Sequence, residues 1–287
     1  MSAAPPTEPT NDIAVLEQWI GREQTVDEVI DPVAVRRLEL TFGRTPTLGP
    51  GDVLPPMWHP LAFADVVPHG GLGEDGHPAR GGFLPPVALP RRMWAGSRIG
   101  YHAPLPIGAL ARRTSRIENV VIKEGSSGTL CFVTVEHVTE ADGHTCMTEQ
   151  QDLVYRDDPA AGAPKPTPRP APTDATASET ITPSEVQLFR YSAVTFNGHR
   201  IHYDRRYAHD VEGYDGLVVH GPFTAALLAE LAVRIGGGLR SFSFRGTSPL
   251  LDTAPFTIHA RPGPDGTDLW AAGPTGGLAM TATATHT

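Results

Sequence analysis

From residue 221 to residue 235 this chain is apolar at nearly every position, and after it apolar and polar residues alternate in short runs. Ala225, Ala229 and Ala232 make one stripe at helical spacing, and Leu227, Leu228, Leu231 and Ile235 make its neighbour. Only Thr224, Glu230 and Arg234 interrupt the apolar surface, so the pattern predicts a helix buried on most of its sides. Gly221 supplies backbone freedom at the start, Pro222 suits the first helical position, and Gly236-Gly237-Gly238 ends the run. Strand patterns follow at Ser241–Gly246, Phe256–Ala260, Leu269–Ala272 and Leu278–Thr285, parted by proline- and glycine-rich turns. The expectation is one core helix wrapped by an antiparallel meander.

The first half carries three further strand patterns, Arg112–Lys123, Leu130–Thr139 and Thr145–Tyr155. The halves also echo each other. Ile30-Asp31-Pro32, Val35 and Thr41-Phe42-Gly43 parallel Ile181-Thr182-Pro183, Val186 and Thr195-Phe196-Asn197. In each copy a capping residue and a proline open a short helix, and the second reads as a capping box of Thr182 with Glu185. This predicts residues 1–156 as one unit, a Pro/Ala-rich linker over 157–180, and residues 181–287 as a second unit. Pro46–Gly96 reads as a long irregular stretch, with Trp58-His59-Pro60-Leu61 and Arg91-Arg92-Met93-Trp94 inside it.

The chemistry is concentrated ahead of the buried helix. Asn197, His199, Arg200, His202 and Asp204 fall within eight residues, and His220-Gly221 follow at the helix start. A helix start offers unpaired N–H groups and the positive end of a dipole. Acid–base side chains beside such a site suit a reaction in which a proton moves while negative charge builds on an oxygen.

The run Asn197-Gly198-His199-Arg200-Ile201-His202, with Gly221 downstream, resembles the motif of the MaoC-like hotdog acyl-CoA hydratases and dehydratases, Asp-x-Asn-Pro-Ile-His. The resemblance implies an α+β tandem double hotdog, each sheet wrapped around a central helix, with His202 as catalytic histidine and the Gly221 N–H holding the thioester oxygen. Asn197 falls on the family's catalytic aspartate, His199 on its asparagine and Arg200 on its proline. These departures are similar to a sub-branch that includes mesaconyl-C4-CoA (3-methylfumaryl-CoA) and itaconyl-CoA hydratases. The first copy has Gly43 where the second has Asn197 and nothing like the rest, so the first half is expected to be catalytically empty and to shape the acyl pocket.

The implied reaction is reversible addition of water to an α,β-unsaturated acyl-CoA. An imidazole titrates near neutrality and can move the proton. Asn197 does not ionise and can only orient water, which leaves the second proton open between His202, His199 and Asp204. His199 and Asp204 read equally as a packed imidazole and a carboxylate paired with arginine, and His220 as a brace for the helix entrance. Arg200 either grips a second carboxylate on the substrate or pairs with Asp204 or Asp210. Arg205 and Arg206, with Arg91 and Arg92, are candidates for coenzyme A phosphates or plain surface charges. A hotdog thioesterase and a non-catalytic acyl-CoA binder are the other two readings, the latter favoured by Asn197.

Composition limits the rest. The chain has 287 residues and net charge −9, with no basic run, which argues against a nucleic-acid partner. Cys131 and Cys146 read as buried thiols, and no disulfide framework, metal spacing or nucleotide loop is present. The start lacks a signal-like apolar stretch and no run is long enough for a bilayer, so a cytoplasmic enzyme without cofactor is expected, coenzyme A entering as part of the substrate. Open sheet edges leave room for a homodimer.

Overall fold

A computed structural model of the chain describes residues 8–125, 128–158 and 166–287. Its strands are β1 (Glu23–Val29), β2 (Arg91–Tyr101), β3 (Leu110–Gly125), β4 (Gly128–Ala141), β5 (His144–Arg156), β6 (Ala177–Ile181), β7 (Leu239–Gly246), β8 (Phe256–Gly263), β9 (Gly266–Ala272) and β10 (Leu278–His286). They form one ten-stranded antiparallel sheet in the order β1-β3-β4-β5-β2-β7-β10-β9-β8-β6. Five strands come from each half, and the β2–β7 pair joins them, from Gly96 against Arg245 to Gly100 against Ser241. The helices are α1 (Ile13–Leu16), α2 (Pro32–Thr41), α3 (Glu185–Val194), α4 (Arg205–Asp210) and α5 (Gly221–Gly236). The chain is a tandem double hotdog of α+β class.

The apolar run is α5, which lies across β7, β8, β9 and β10 with Ala225, Ala229 and Ala232 at or near zero exposure. Small side chains let the sheet come close, and Gly237 at φ +82 ends the helix. Its buried Glu230 is satisfied from the first half: Trp58 Nε1 donates at 2.9 Å and Arg44 forms an ion pair. Phe42, just past α2, stacks between Trp58 and Phe223 of α5. One continuous apolar core therefore spans both halves.

Several expectations need correction. The second-half sheet is not a simple meander, because β7 pairs with β10 rather than with β8. The linker ends early: Ala177–Ile181 is the edge strand β6 on β8, and residues 159–165 of that stretch lie outside the described residues. The cap of α3 is Ser184, whose hydroxyl accepts from Gln187 N at 3.2 Å; Thr182, expected to cap, lies two residues before it. Only one long helix is present among the described residues. In the first half, proline and glycine break the chain between α2 and β2 into short 3₁₀ turns at His59–Leu61 and His69–Gly71, with Met57, Trp58 and Phe63 buried.

Strand β2 sits where an irregular stretch was expected. Its pattern is disguised by a bulge between Trp94 and Gly96, and the glycine has a packing cause. A β-carbon at 96 would stand 2.2 Å from the Phe244 carbonyl oxygen of β7. The strand that fuses the two sheets thus looks least like a strand.

Candidate active site

The motif loop is built by short-range bonds. Phe196, at φ 52, turns the chain out of α3, and Asn197 N donates to Ser192 O at 2.8 Å. The Asn197 Oδ1 then accepts the His199 N–H at 3.0 Å, so one lone pair of the amide is spent on the loop itself. His202 lies in a 3₁₀ turn, Arg200–His202, which Val218 zips to the strand-like approach of α5 through a Val218 N–H to Ile201 O bond of 3.0 Å. Asp204 caps α4 by accepting from Tyr207 N at 3.1 Å.

His202 is 7 % exposed, and its Nδ1 is 2.7 Å from the Val218 carbonyl oxygen. A carbonyl can only accept, so Nδ1 carries the proton and the neutral ring keeps its lone pair on Nε2. Burial pushes the His202 pKa well below the ordinary 6.5, and the neighbouring His220 and His199 push it the same way. The ring stacks on His220 with centroids 3.7 Å apart. His220, at the N-cap of α5, meets the Ser192 hydroxyl at 2.8 Å, and burial drives its pKa down to about 3.

A cleft of about 1950 Å³ opens on this corner and is lined from both halves. Of the residues singled out from sequence, Asn197, His199, His202 and Gly221 line it, as do Arg91 and Arg92. Gly221 is the first residue of α5, where N–H groups lack intrahelical acceptors. Its backbone is not in the left-handed region, contrary to the freedom expected of it, and a β-carbon there would meet no protein atom within 4 Å. Glycine at 221 leaves cleft space open rather than relieving a clash.

Arg200, Asp204, Arg205, Arg206 and His220 stand off the cleft. Arg200 binds Asp204 through Nε at 3.1 Å and Nη2 at 2.7 Å, and lies 4.2 Å over the Tyr207 ring. Its guanidinium makes the Asp204 pairing that the sequence offered as one of two alternatives. Arg205 pairs with Asp252 at 2.6 Å and Glu185 at 3.2 Å, and Arg206 is exposed. Arg91 is held by Asp158 at 2.7 Å and Glu212 at 3.4 Å, whereas Arg92 is half-buried in the cleft wall.

Missed from the sequence were Asp75 and His77: the first half brings His77 to the same cleft wall, with Asp75 bonded behind it. His77 Nδ1 is 3.0 Å from Asp75 Oδ2, and the ring lies 4.2 Å from that of His199. His199 in turn stands edge-on to His202 at 5.4 Å and has Glu212 Oε1 3.6 Å from its Nε2. Donor atoms of Asp75, His77 and His199 lie within 4.8 Å of one another, as a carboxylate–imidazole pair with a second ring beside it. Ser192, Glu212 and Gly76 were missed as well. Nothing local marks them; the Asp75-Gly76-His77 triplet inside a proline- and glycine-rich loop was the one available signal.

A fused double hotdog with a helix N-terminus and neutral imidazoles facing one cleft defines the class of hotdog acyl-thioester hydratases and dehydratases. The relatives agree. The profile of the hydroxyacyl-thioester dehydratase type 2 family matches residues 57–252, and the chain belongs to that family. It is 48 % identical over 271 residues to mesaconyl-C(4)-CoA hydratase of Chloroflexus aurantiacus, covering 92 % of this chain and 95 % of that one. Two solved structures share the fold. HtdX of Mycobacterium tuberculosis has a TM-score of 0.66 at 21 % identity, over 92 % of this chain and 99 % of its own. A MaoC-like dehydratase of Phytophthora capsici has a TM-score of 0.68 at 13 % identity, over 96 % and 99 %.

Proposed function

We propose that the protein reversibly hydrates a short, branched dicarboxylic enoyl-CoA of the mesaconyl-C4-CoA type to the 3-hydroxyacyl-CoA. The carrying observation is the tautomer of His202: its Nδ1–H is committed to Val218, which leaves a bare Nε2 on a ring lining the cleft beside the start of α5. That nitrogen takes a proton from water as the water oxygen bonds to Cβ. The π pair moves onto the thioester oxygen, where the Gly221 N–H stabilises it. The imidazolium then returns a proton to Cα, the π pair returns, and His202 is neutral again. Asn197 orients the water with its remaining amide donors and lone pair.

Similarity to an enzyme named for mesaconyl-C4-CoA supports the substrate class. With Arg200 paired to Asp204, a cation placed for the second carboxylate is Arg92, one of the arginines lining the cleft. In this reading residues 181–287 carry the motif while residues 1–156 wall the pocket. One chain completes one site, so pairing through the β1 or β6 edge is not needed for activity. The reaction needs no resident metal or nucleotide, and the cytoplasm is the assigned compartment; no helix among the described residues is long and apolar enough to cross a membrane.

The test is a panel of mono- and dicarboxylic enoyl-CoA thioesters with mass detection. Gain of one water, fastest on the branched dicarboxylic thioester, is the expected result. Free coenzyme A as main product, or binding without conversion, would contradict it.

A further inference from the structure

The reaction just proposed leaves one deficit. His202 must carry a positive charge while it holds the proton, yet its Nδ1 faces a neutral carbonyl and its flat face lies on neutral His220. The motif loop supplies no carboxylate at position 197. Carboxylates reach the row of rings from other elements: Asp75 behind His77, and Glu212 beside His199.

The loop that brings Asp75 is fastened with unusual closeness. Within it, Gly73 N donates to His77 O at 2.7 Å, Gly76 N to Gly73 O at 3.0 Å, and His77 N to Asp75 Oδ1 at 3.0 Å. Against the motif loop, Arg200 N donates to Asp75 O at 2.9 Å and Arg200 Nη1 to Glu74 O at 3.1 Å. The two loops meet glycine to glycine. A β-carbon on Gly76 would stand 2.0 Å from Gly198 O, and one on Gly198 would stand 2.6 Å from Gly76 O. Such contact, with bonds from the motif's own arginine, holds His77 against His199 and His199 against His202.

We propose that Asp75 and His77 are positioning residues for the second half's reaction: they fix His199 against His202 and supply the negative charge, absent at 197, that favours the His202 imidazolium. Asp75 accepts the His77 Nδ1–H, so the pair presents a carboxylate-backed imidazole to the row His77, His199, His202. Burial alone would raise the Asp75 pKa, but the bonds from the His77 side chain and backbone and the nearby His199 hold it below the usual carboxylate range. Burial lowers His77 to about 3 against the opposing Asp75 bond, with Arg92 and His199 lowering it further. The pair is therefore a carboxylate and a neutral ring at neutral pH. The other charged or titratable groups acting on this row are Glu212, Arg92 and His220. Through this pair the first half, expected to be catalytically empty, acts on the chemistry without touching the reacting atoms.

The test compares Asp75→Asn, Asp75→Glu and His77→Gln with the unaltered full chain, on whichever enoyl-CoA that chain hydrates. Asp75→Asn keeps the shape and removes the charge. It is expected to lower kcat on the order of ten- to a hundredfold with KM changed less than about threefold, as for a misplaced but intact site. Removing a negative charge lowers the His202 pKa, so the acid limb of kcat should move to lower pH, and Asp75→Glu should restore part of both effects. His77→Gln, combined with Asp75→Asn, should add little further loss. Wild-type kcat and an unshifted limb in Asp75→Asn, with an unchanged thermal midpoint, would overturn the proposal. So would chelator-sensitive wild-type activity restored by zinc, which would make the same side chains a metal site. If the unaltered chain hydrates nothing, the functional reading fails, which is a different outcome from either of these.

Discussion

Among single residues, what each side chain can do depends on which of its atoms are already committed. His202 has one nitrogen bound and one bare, Arg200 is tied to Asp204, and the Asn197 carbonyl is half used by the His199 N–H. Asn197→Asp is informative for this reason. A carboxylate accepts the same loop bond from His199 N and adds a charge beside His202. Retained or raised turnover would show the site tolerating the acidic form of the motif, while the loss expected here follows from placing a second anion next to a dicarboxylic substrate. Steady-state kinetics on mono- and dicarboxylic thioesters separates the two, since the loss should be larger for the dicarboxylic one. That His202 and Gly221 would lie at one cleft was legible from the sequence, because a short motif and a helix start are local signals. The commitment of Arg200 was legible only as one of two alternatives, because its Glu74 partner lies far away in sequence.

Among the elements, the strong periodic ones could be read ahead of the structure. Helix α5 and strands β3, β4, β5 and β7 to β10 fall where their apolar spacing put them, within a few residues at the ends. Strands β1, β2 and β6 were missed: β2 is bulged and glycine-bearing, and β1 and β6 are short edge strands flanked by turn residues. The loop over residues 71–79 was read as irregular, and it is; what could not be read was its docking on residues 197–200. That docking predicts a specific sensitivity. Gly76, at φ +86, faces Gly198 O, so Gly76→Ala must push the two loops apart. The expected cost is about 1–3 kcal/mol of stability, with a fall in turnover larger than the fall in folded fraction. Thermal unfolding and kinetics on one preparation check this, and an unaltered kcat in Gly76→Ala would mean the loops are not coupled to the chemistry.

Over the whole molecule, burying neutral imidazoles sets the response to acid. Burial lowers His77 and His220 to about 3 and His137 to about 4, and takes His202 well below 6.5. Below about pH 6.5 the unfolded chain binds protons at these positions and the folded chain does not, so folding weakens as pH falls. Their contribution is complete above pH 6.5 and is lost through the window from about 6 towards 3, at about 1.4 kcal/mol per pH unit for each imidazole. Glu149 adds to the loss lower down. Burial would raise its pKa, but His59, 3.1 Å away, and His137 hold it at about 2, so its share fades below 4.5. Urea unfolding at pH 7.5, 6 and 5 should show a steepening fall in midpoint, and a flat profile would contradict the burial of neutral rings. The double-hotdog architecture was legible because the helix-and-strand pattern and the internal echo point the same way. The fusion into one core was not, since contacts such as Trp58 to Glu230 join residues with no local relation in sequence.

On the proposed reading, His202 moves the proton in a cleft whose binding groups lie elsewhere. The most direct measurement is single-turnover hydration by His202→Ala beside the unaltered enzyme, with affinity for the 3-hydroxyacyl-CoA product measured on both. Turnover is expected to fall by a factor on the order of a hundred to ten thousand, the range for a lost acid–base group, with product affinity within a few-fold. Near wild-type turnover in the folded variant would contradict it.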